Sequence, residues 1–164
     1  MDGVVPDHCS LSTDHLYMPI TSEIRVRYAE TDQMSVVYYA NYLVWFEIGR
    51  TDLLRAAGLS AGLSYDRLEK EHGCILPVAE ARCRYRSPAR YDDHIVIETR
   101  PAMLRGSVIK FAYEVFRVIE GANAKERQLL AEGETVHVVC DAQMNRMALP
   151  EPYALALKAM MAGS

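Results

Sequence analysis

YAETDQMSVVYYANYLVWFE, residues Tyr28 to Glu47, places one acidic residue, Asp32, in a short turn between a strand and an apolar helix. Upstream, Glu23 to Tyr28 alternates, with Ile24, Val26 and Tyr28 on one face and Glu23, Arg25 and Arg27 on the other. That period of two marks a half-buried strand. Downstream the period becomes helical: Tyr42, Phe46, Gly49 and Leu53 recur at helical spacing, joined by Leu43, Leu54 and Ala57, and Gly58 stands where a left-handed residue would stop a helix. The predicted helix runs from about Tyr39 to Ala57. Its first N–H groups lack partners within the helix, and the aligned peptide dipoles make that end a site for negative charge, a developing oxyanion included.

Outward from this stretch the chain turns to strands. Ser64 to His72 suggests a short second helix closed by Gly73. Pro77 to Ser87 then alternates Ala79, Ala81, Cys83 and Tyr85 against Val78, Glu80, Arg82, Arg84 and Arg86, with a turn over Pro88 to Asp93. Three further strands are predicted near His94 to Arg105, Ser107 to Glu120 and Leu129 to Asp141, separated by Gly106 and the polar stretch Gly121 to Arg127. Strand, long helix and four strands with short connections predict an α+β fold, an antiparallel sheet wrapped around one helix. Residues 1–20 show no sustained period and are expected to form a mobile or loosely docked extension. Residues 21–150 would be the folded domain, and 151–164 a tail with a short terminal helix.

The 164 residues fit one domain, large enough to bury a core without metal or disulfide support. A hydrophobic fraction of 50% with 24% charged residues is ordinary for a globular protein, and the net charge of -4 argues against a dedicated nucleic-acid binder. Cys9, Cys74, Cys83 and Cys140 lie far apart, so neither a zinc site nor a disulfide framework is suggested. The five histidines lack metal-ligand spacing, and no cofactor is called for. His137, inside an apolar strand, reads as a satisfied core or interface histidine. The N-terminus lacks the pattern of a secretory signal, and Met34 to Phe46 is too short an apolar run to span a bilayer. A cytoplasmic protein is expected.

The central stretch resembles the hotdog-fold acyl-CoA thioesterases of the 4-hydroxybenzoyl-CoA thioesterase type, whose usual pattern reads close to TD-x-x-G-V-V-Y-H-A-N-Y-L-x-W-F-E-x-x-R. Ile75 to Arg82, Ser87 to Asp93, the strand after Gly106 and Glu132 to Val138 are also similar to that family. The resemblance implies a hotdog fold, an acyl-CoA substrate and a homodimer at least, with active sites between subunits and dimers often paired into tetramers. It makes Asp32 the catalytic carboxylate and the backbone N–H of Tyr39 the group that polarises the thioester carbonyl. Val37, Tyr38 and Asn41 would contact substrate, and Arg105, Ser107 and Lys110 match the region where relatives hold coenzyme A phosphates. Two residues depart from the pattern. Ser35 stands where glycine is usual, and Tyr39 where many relatives have histidine, which leaves the backbone N–H but no imidazole at that position.

Each of these residues also has a plainer reading. Asp32 could be a helix N-cap or turn former; as a catalyst it would be ionised, attacking the carbonyl itself or drawing a proton from water. Asn41 could simply hold local backbone, and Tyr42, Trp45 and Phe46 read as core. Glu47, at a position where a different hotdog subfamily carries its catalytic glutamate, reads as a structural carboxylate paired with Arg50. Arg82, Arg84, Arg86 and Arg90 read as solvated charges. A hotdog dehydratase would need a histidine near the helix start, where none stands. The other alternative is a non-catalytic module that binds acyl-CoA or an acyl carrier protein.

Overall fold

Gly106 adopts φ 59°, and with Ser107 it turns the chain between two long strands whose flanking residues, Arg105 and Val108, face each other. A two-residue hairpin needs such a left-handed position, which glycine takes without steric cost. This hairpin joins β3 (His94–Arg105) to β4 (Val108–Glu120). The computed structural model describes residues 19–60, 62, 66–121 and 125–162, residue 125 by backbone alone. Around the hairpin stand β1 (Ile20–Arg25), α1 (Asn41–Ser60), α2 (Arg67–Lys70), β2 (Val78–Tyr85), β5 (Lys125–Val138) and α3 (Glu151–Ala162). All strand pairs are antiparallel, in the order β1-β3-β4-β5-β2. The long helix α1 packs on one face of this sheet, and the fold is the hotdog that the sequence predicted.

The core lies between α1 and that face, where Trp45, Phe46, Leu53 and Leu54 meet Ile95, Ile97, Ile109, Phe111 and Val115. Two glycines set the approach. A Cβ on Gly133 would stand 2.4 Å from ring carbons of Phe46, and one on Gly49 would stand 2.2 Å from Thr99 Oγ1. Phe46 can therefore lie flat against Tyr113, with ring centroids 4.3 Å apart. Helix α3 adds Tyr153, Leu157 and Met160 to the same core, closing over β3 and α1. The other sheet face is charged, with Lys110 bound to Glu134 and Arg127 to Glu98. At the sheet's edge β2 is exposed along most of its length, and among the described residues β5 is its only partner strand.

Several expected boundaries shift. Helix α1 starts at Asn41 and continues through Gly58 to Ser60, because Gly58 is buried with Leu54 and Ala57 and packing outweighs its weak helix preference. The left-handed glycine beyond the helix is Gly62, at φ 71°. Tyr28 leaves the buried face of the first strand and is 77% exposed, since the strand ends at Arg25 and residues Tyr28–Glu30 form a 3-10 turn. Gly73, at φ 58°, does close α2, donating to the Glu69 carbonyl. Of the extension expected over residues 1–20, all but 19 and 20 lie outside the described residues, and Ile20 is already paired with Thr99.

Beneath α1 the core holds one polar chain. Tyr113 and Thr135 hydroxyls are 2.7 Å apart, Thr135 Oγ1 is 2.8 Å from His137 Nε2, and Arg50 reaches the same nitrogen at 3.3 Å. His137 Nδ1 lies 2.9 Å from the Leu76 carbonyl, which can only accept. The proton therefore sits on Nδ1, and Nε2 accepts from Arg50 and Thr135. Burial pushes the imidazole down to about 4, with the Leu76 carbonyl opposing and the Arg50 guanidinium adding to that shift. Arg50 is thus engaged with His137, and Glu47 is exposed with no ion pair among the described residues, so the expected Glu47–Arg50 pair does not form.

A histidine held at about 4 when folded and near 6.5 when unfolded gives stability that is complete above about pH 6.5 and is lost as pH falls toward 4. Urea titrations between pH 7 and pH 4 should show the parent losing roughly 3 kcal/mol more than His137→Gln. Parallel losses in the two proteins would contradict this assignment.

Candidate active site

The segment before α1 is bolted together by a carboxylate that composition would assign to the surface. Glu30 is 5% exposed; its Oε2 accepts the Arg27 N–H at 2.7 Å and its Oε1 the Trp45 indole N–H at 3.0 Å. Burial alone would raise its carboxyl, but the Arg27 backbone N–H, the Trp45 indole and the Arg27 guanidinium together hold it below its usual value. Its backbone carbonyl accepts from the Tyr38 N–H at 2.9 Å and from the Asn41 side-chain amide at 2.8 Å. One residue thus ties the 3-10 turn to both the start and the body of α1.

Between these anchors, residues 31–37 fold back on themselves, with Thr31 bridging Val37. The Asp32 N–H donates to Val36, the Asp32 carbonyl accepts from Ser35, and Val37 is pinned to the Ala89 carbonyl at 2.8 Å. Asp32 Oδ1 accepts the Met34 N–H at 2.8 Å, the turn-forming role foreseen for it, while Oδ2 has no partner among the described residues. Ser35 sits at φ 60°. That left-handed conformation explains why the pattern favours glycine there.

At the start of α1, Asn41, Tyr42 and Leu43 already donate to the carbonyls of Tyr38, Tyr39 and Ala40. The donors left over lie just before the helix, which starts two residues later than the sequence suggested. Among the described residues, the N–H groups of Tyr39 and Ala40 meet no acceptor.

Asp32 and Tyr39 line one cavity of about 300 Å³. Its walls come from the 32–37 loop, from Tyr39 and Tyr42, and from the end of β2 with Tyr85 to Pro88. Tyr42 is fixed by the Ala89 N–H, 3.1 Å from its hydroxyl, and Tyr85 donates its hydroxyl to the Tyr39 carbonyl at 3.0 Å. Arg86 also borders the cavity, held by Glu132 at 2.6 Å. A larger concavity, about 870 Å³, crosses the strands and includes interleaved Arg82, Arg84, Arg100, Glu98, Glu114 and Glu132, but it lacks the helix end.

Of the expected site residues, Asp32, Val37 and Tyr39 border the smaller cavity. Tyr38 is 45% exposed beside Tyr39, and Asn41 is occupied with the Glu30 carbonyl. Arg105, Ser107 and Lys110 are not brought to this place within one chain. They stand at or near the β3–β4 hairpin, whereas the 32–37 loop is pinned at Val37 to Ala89, just before the opposite end of β3, a strand whose 12 residues extend about 35–40 Å. Sequence reading missed Glu30 and Tyr85 as site residues. Only the alternation that put Tyr85 on the face of Cys83 hinted at the second. Among the described residues no three acids, histidines or cysteines are placed to hold a metal ion, and no helix is long and apolar enough to cross a membrane.

Comparison with known proteins adds the family. The description "thioesterase-like superfamily" belongs to the family pattern that matches residues 26–157. The acyl-CoA thioester hydrolase YbgC of Escherichia coli is 33% identical over 129 residues, spanning 78% of this chain and 87% of that protein. YneP of Bacillus subtilis is 40% identical over 94 residues, 57% of this chain and 64% of that protein, so this chain spans just under two thirds of it. Among solved structures, the DHNA-CoA thioesterase of Staphylococcus aureus superposes with a TM-score of 0.74 at 27% identity, covering 87% of this chain and 90% of that one.

Replacing Ser35 by glycine should relieve the left-handed strain and raise stability by about 0.5–1 kcal/mol, read as a higher urea midpoint. A lowered midpoint would mean that the serine side chain holds the loop.

Proposed function

The chain belongs to the thioesterase-like superfamily, and from that premise we propose that it hydrolyses acyl-CoA thioesters to a carboxylic acid and free coenzyme A. The observation that carries the reading is the meeting, in one cavity, of a carboxylate oxygen of Asp32 and the backbone N–H of Tyr39, neither of which has a partner among the described residues. With the thioester carbon between them, Asp32 Oδ2 either attacks it to give a mixed anhydride or takes the proton of an attacking water. Both routes drive charge onto the carbonyl oxygen. The Tyr39 N–H and the α1 dipole oppose that charge, and one such donor is worth about 3 kcal/mol in the barrier. Collapse expels the coenzyme A thiolate, which takes up a proton; on the first route water then hydrolyses the anhydride, releasing the carboxylic acid and restoring Asp32.

The finer assignment, to the 4-hydroxybenzoyl-CoA thioesterase type, is supported by the Asp32 motif and by a cavity walled with Tyr39, Tyr42 and Tyr85, which suits a flat acyl group. Substrate grip requires a second subunit. The β2 edge, unpaired among the described residues, can meet its own copy antiparallel across a two-fold axis, which sets the far end of one sheet beside the near end of the other. Arg105, Ser107 and Lys110 of the partner subunit then face the mouth of the cavity, where guanidinium and ammonium groups suit coenzyme A phosphates. Two such dimers would make the tetramer, in the cytoplasm where acyl-CoA is found.

Thiol release over a panel of acyl-CoAs tests the reading. Asp32→Asn should lower kcat by about a hundredfold or more with KM nearly unchanged, because the amide keeps the shape and loses the base or nucleophile. A loss confined to KM, or a greater loss in Glu47→Gln, would overturn it.

A further inference from the structure

The donor proposed to hold the oxyanion is only as well aimed as the turn that carries it. Residues Tyr38 to Ala40 precede the first α-helical residue, and three-residue turns from Asn41, Tyr42 and Leu43 tie their carbonyls to the helix. The Tyr38 N–H is bound to Glu30, which secures the peptide on one side. On the other side the Tyr39 carbonyl accepts from the Tyr42 N–H at 3.3 Å, a long bond, and from the Tyr85 hydroxyl at 3.0 Å. Tyr85 comes from the far wall, at the end of β2, and its ring is braced edge-on by Tyr42 with centroids 5.1 Å apart.

We infer that Tyr85 is a positioning residue: its phenol, donated across the cavity to the Tyr39 carbonyl, holds the Tyr39 backbone N–H in line with the thioester oxygen. The inference rests on the proposed thioesterase reading and deepens it. The carbonyl that Tyr85 binds and the N–H that meets substrate belong to the same residue, one peptide apart, so a rotation of that residue moves both. Tyr85 is suited to the task because partial desolvation at the cavity wall raises its hydroxyl above the usual phenol value, which leaves its single proton available for the Tyr39 carbonyl. It stays a donor throughout the pH range of the reaction. Tyr85 itself touches no reacting atom in this scheme.

The consequence separates orientation from binding. Tyr85→Phe keeps the ring against Tyr42 and removes only the hydroxyl. Hydrolysis by this variant should fall about tenfold in kcat, with KM within twofold and an unchanged melting temperature, since a misaimed donor loses part of what a deleted one would lose. A spectroscopic reading makes the assignment specific. With Asp32→Asn to keep substrate intact, the bound thioester carbonyl should show a lowered infrared stretch from the Tyr39 N–H, and adding Tyr85→Phe should move that stretch back toward its value in water. Full kcat in Tyr85→Phe, or a carbonyl stretch that does not move, overturns the positioning role while Asp32→Asn remains inactive and the thioesterase reading stands. If Asp32→Asn retains activity, or the parent hydrolyses no acyl-CoA in the panel, the reading fails first and the role of Tyr85 fails with it.

Discussion

The buried carboxylate of Glu30 is the interaction on which the rest of this site depends. An acidic side chain removed from water is costly unless its oxygens are fully engaged. Here they are, by the Arg27 N–H and guanidinium and by the Trp45 indole. Trp45 is itself fully buried in α1 and packed against Tyr42, so the carboxylate is referenced to the body of the helix, not to a mobile end. The Glu30 carbonyl then holds Tyr38 and Asn41. The 32–37 loop is thereby strung between two fixed points, and the carboxylate of Asp32 and the N–H of Tyr39 share a cavity because neither end of the loop can drift.

Much of the fold was legible because its signals were local. The span His94–Arg105 was readable from the Gly106 that separates it from the next strand, and a glycine at φ 59° closes that hairpin. The turn at Asp32 and the helix after it were legible for the same reason, a change of period within a few residues. Where a tertiary partner decided the outcome, sequence reading failed. Glu47 and Arg50 stand three apart and invite an ion pair, yet Arg50 turns inward to His137, a residue 87 positions away. Gly58 looked like a helix stop, but burial on the core face kept it helical. Glu30 could not be recognised at all, since its partner Trp45 lies 15 residues on and an acid beside a threonine reads as surface.

The two ends of the sheet explain why one chain is an incomplete enzyme in the proposed scheme. The reacting groups gather at the end where α1 begins, and the cations suited to phosphates gather at the β3–β4 hairpin. Antiparallel pairing of two β2 edges is the simplest operation that reverses one end against the other. It also satisfies the strand that is exposed along most of its length. Tyr85 sits at the end of that same strand, so the edge proposed to bind a partner also reaches the turn that aims the oxyanion donor.

The most direct measurement is a crystal structure of the Asp32→Asn protein holding an intact acyl-CoA. The account predicts the thioester carbonyl oxygen about 3 Å from the Tyr39 N–H, the asparagine beside the carbonyl carbon, and the phosphates against Arg105 and Lys110 of the partner subunit. A thioester bound in the larger charged concavity, or one whose carbonyl points away from the start of α1, would contradict it.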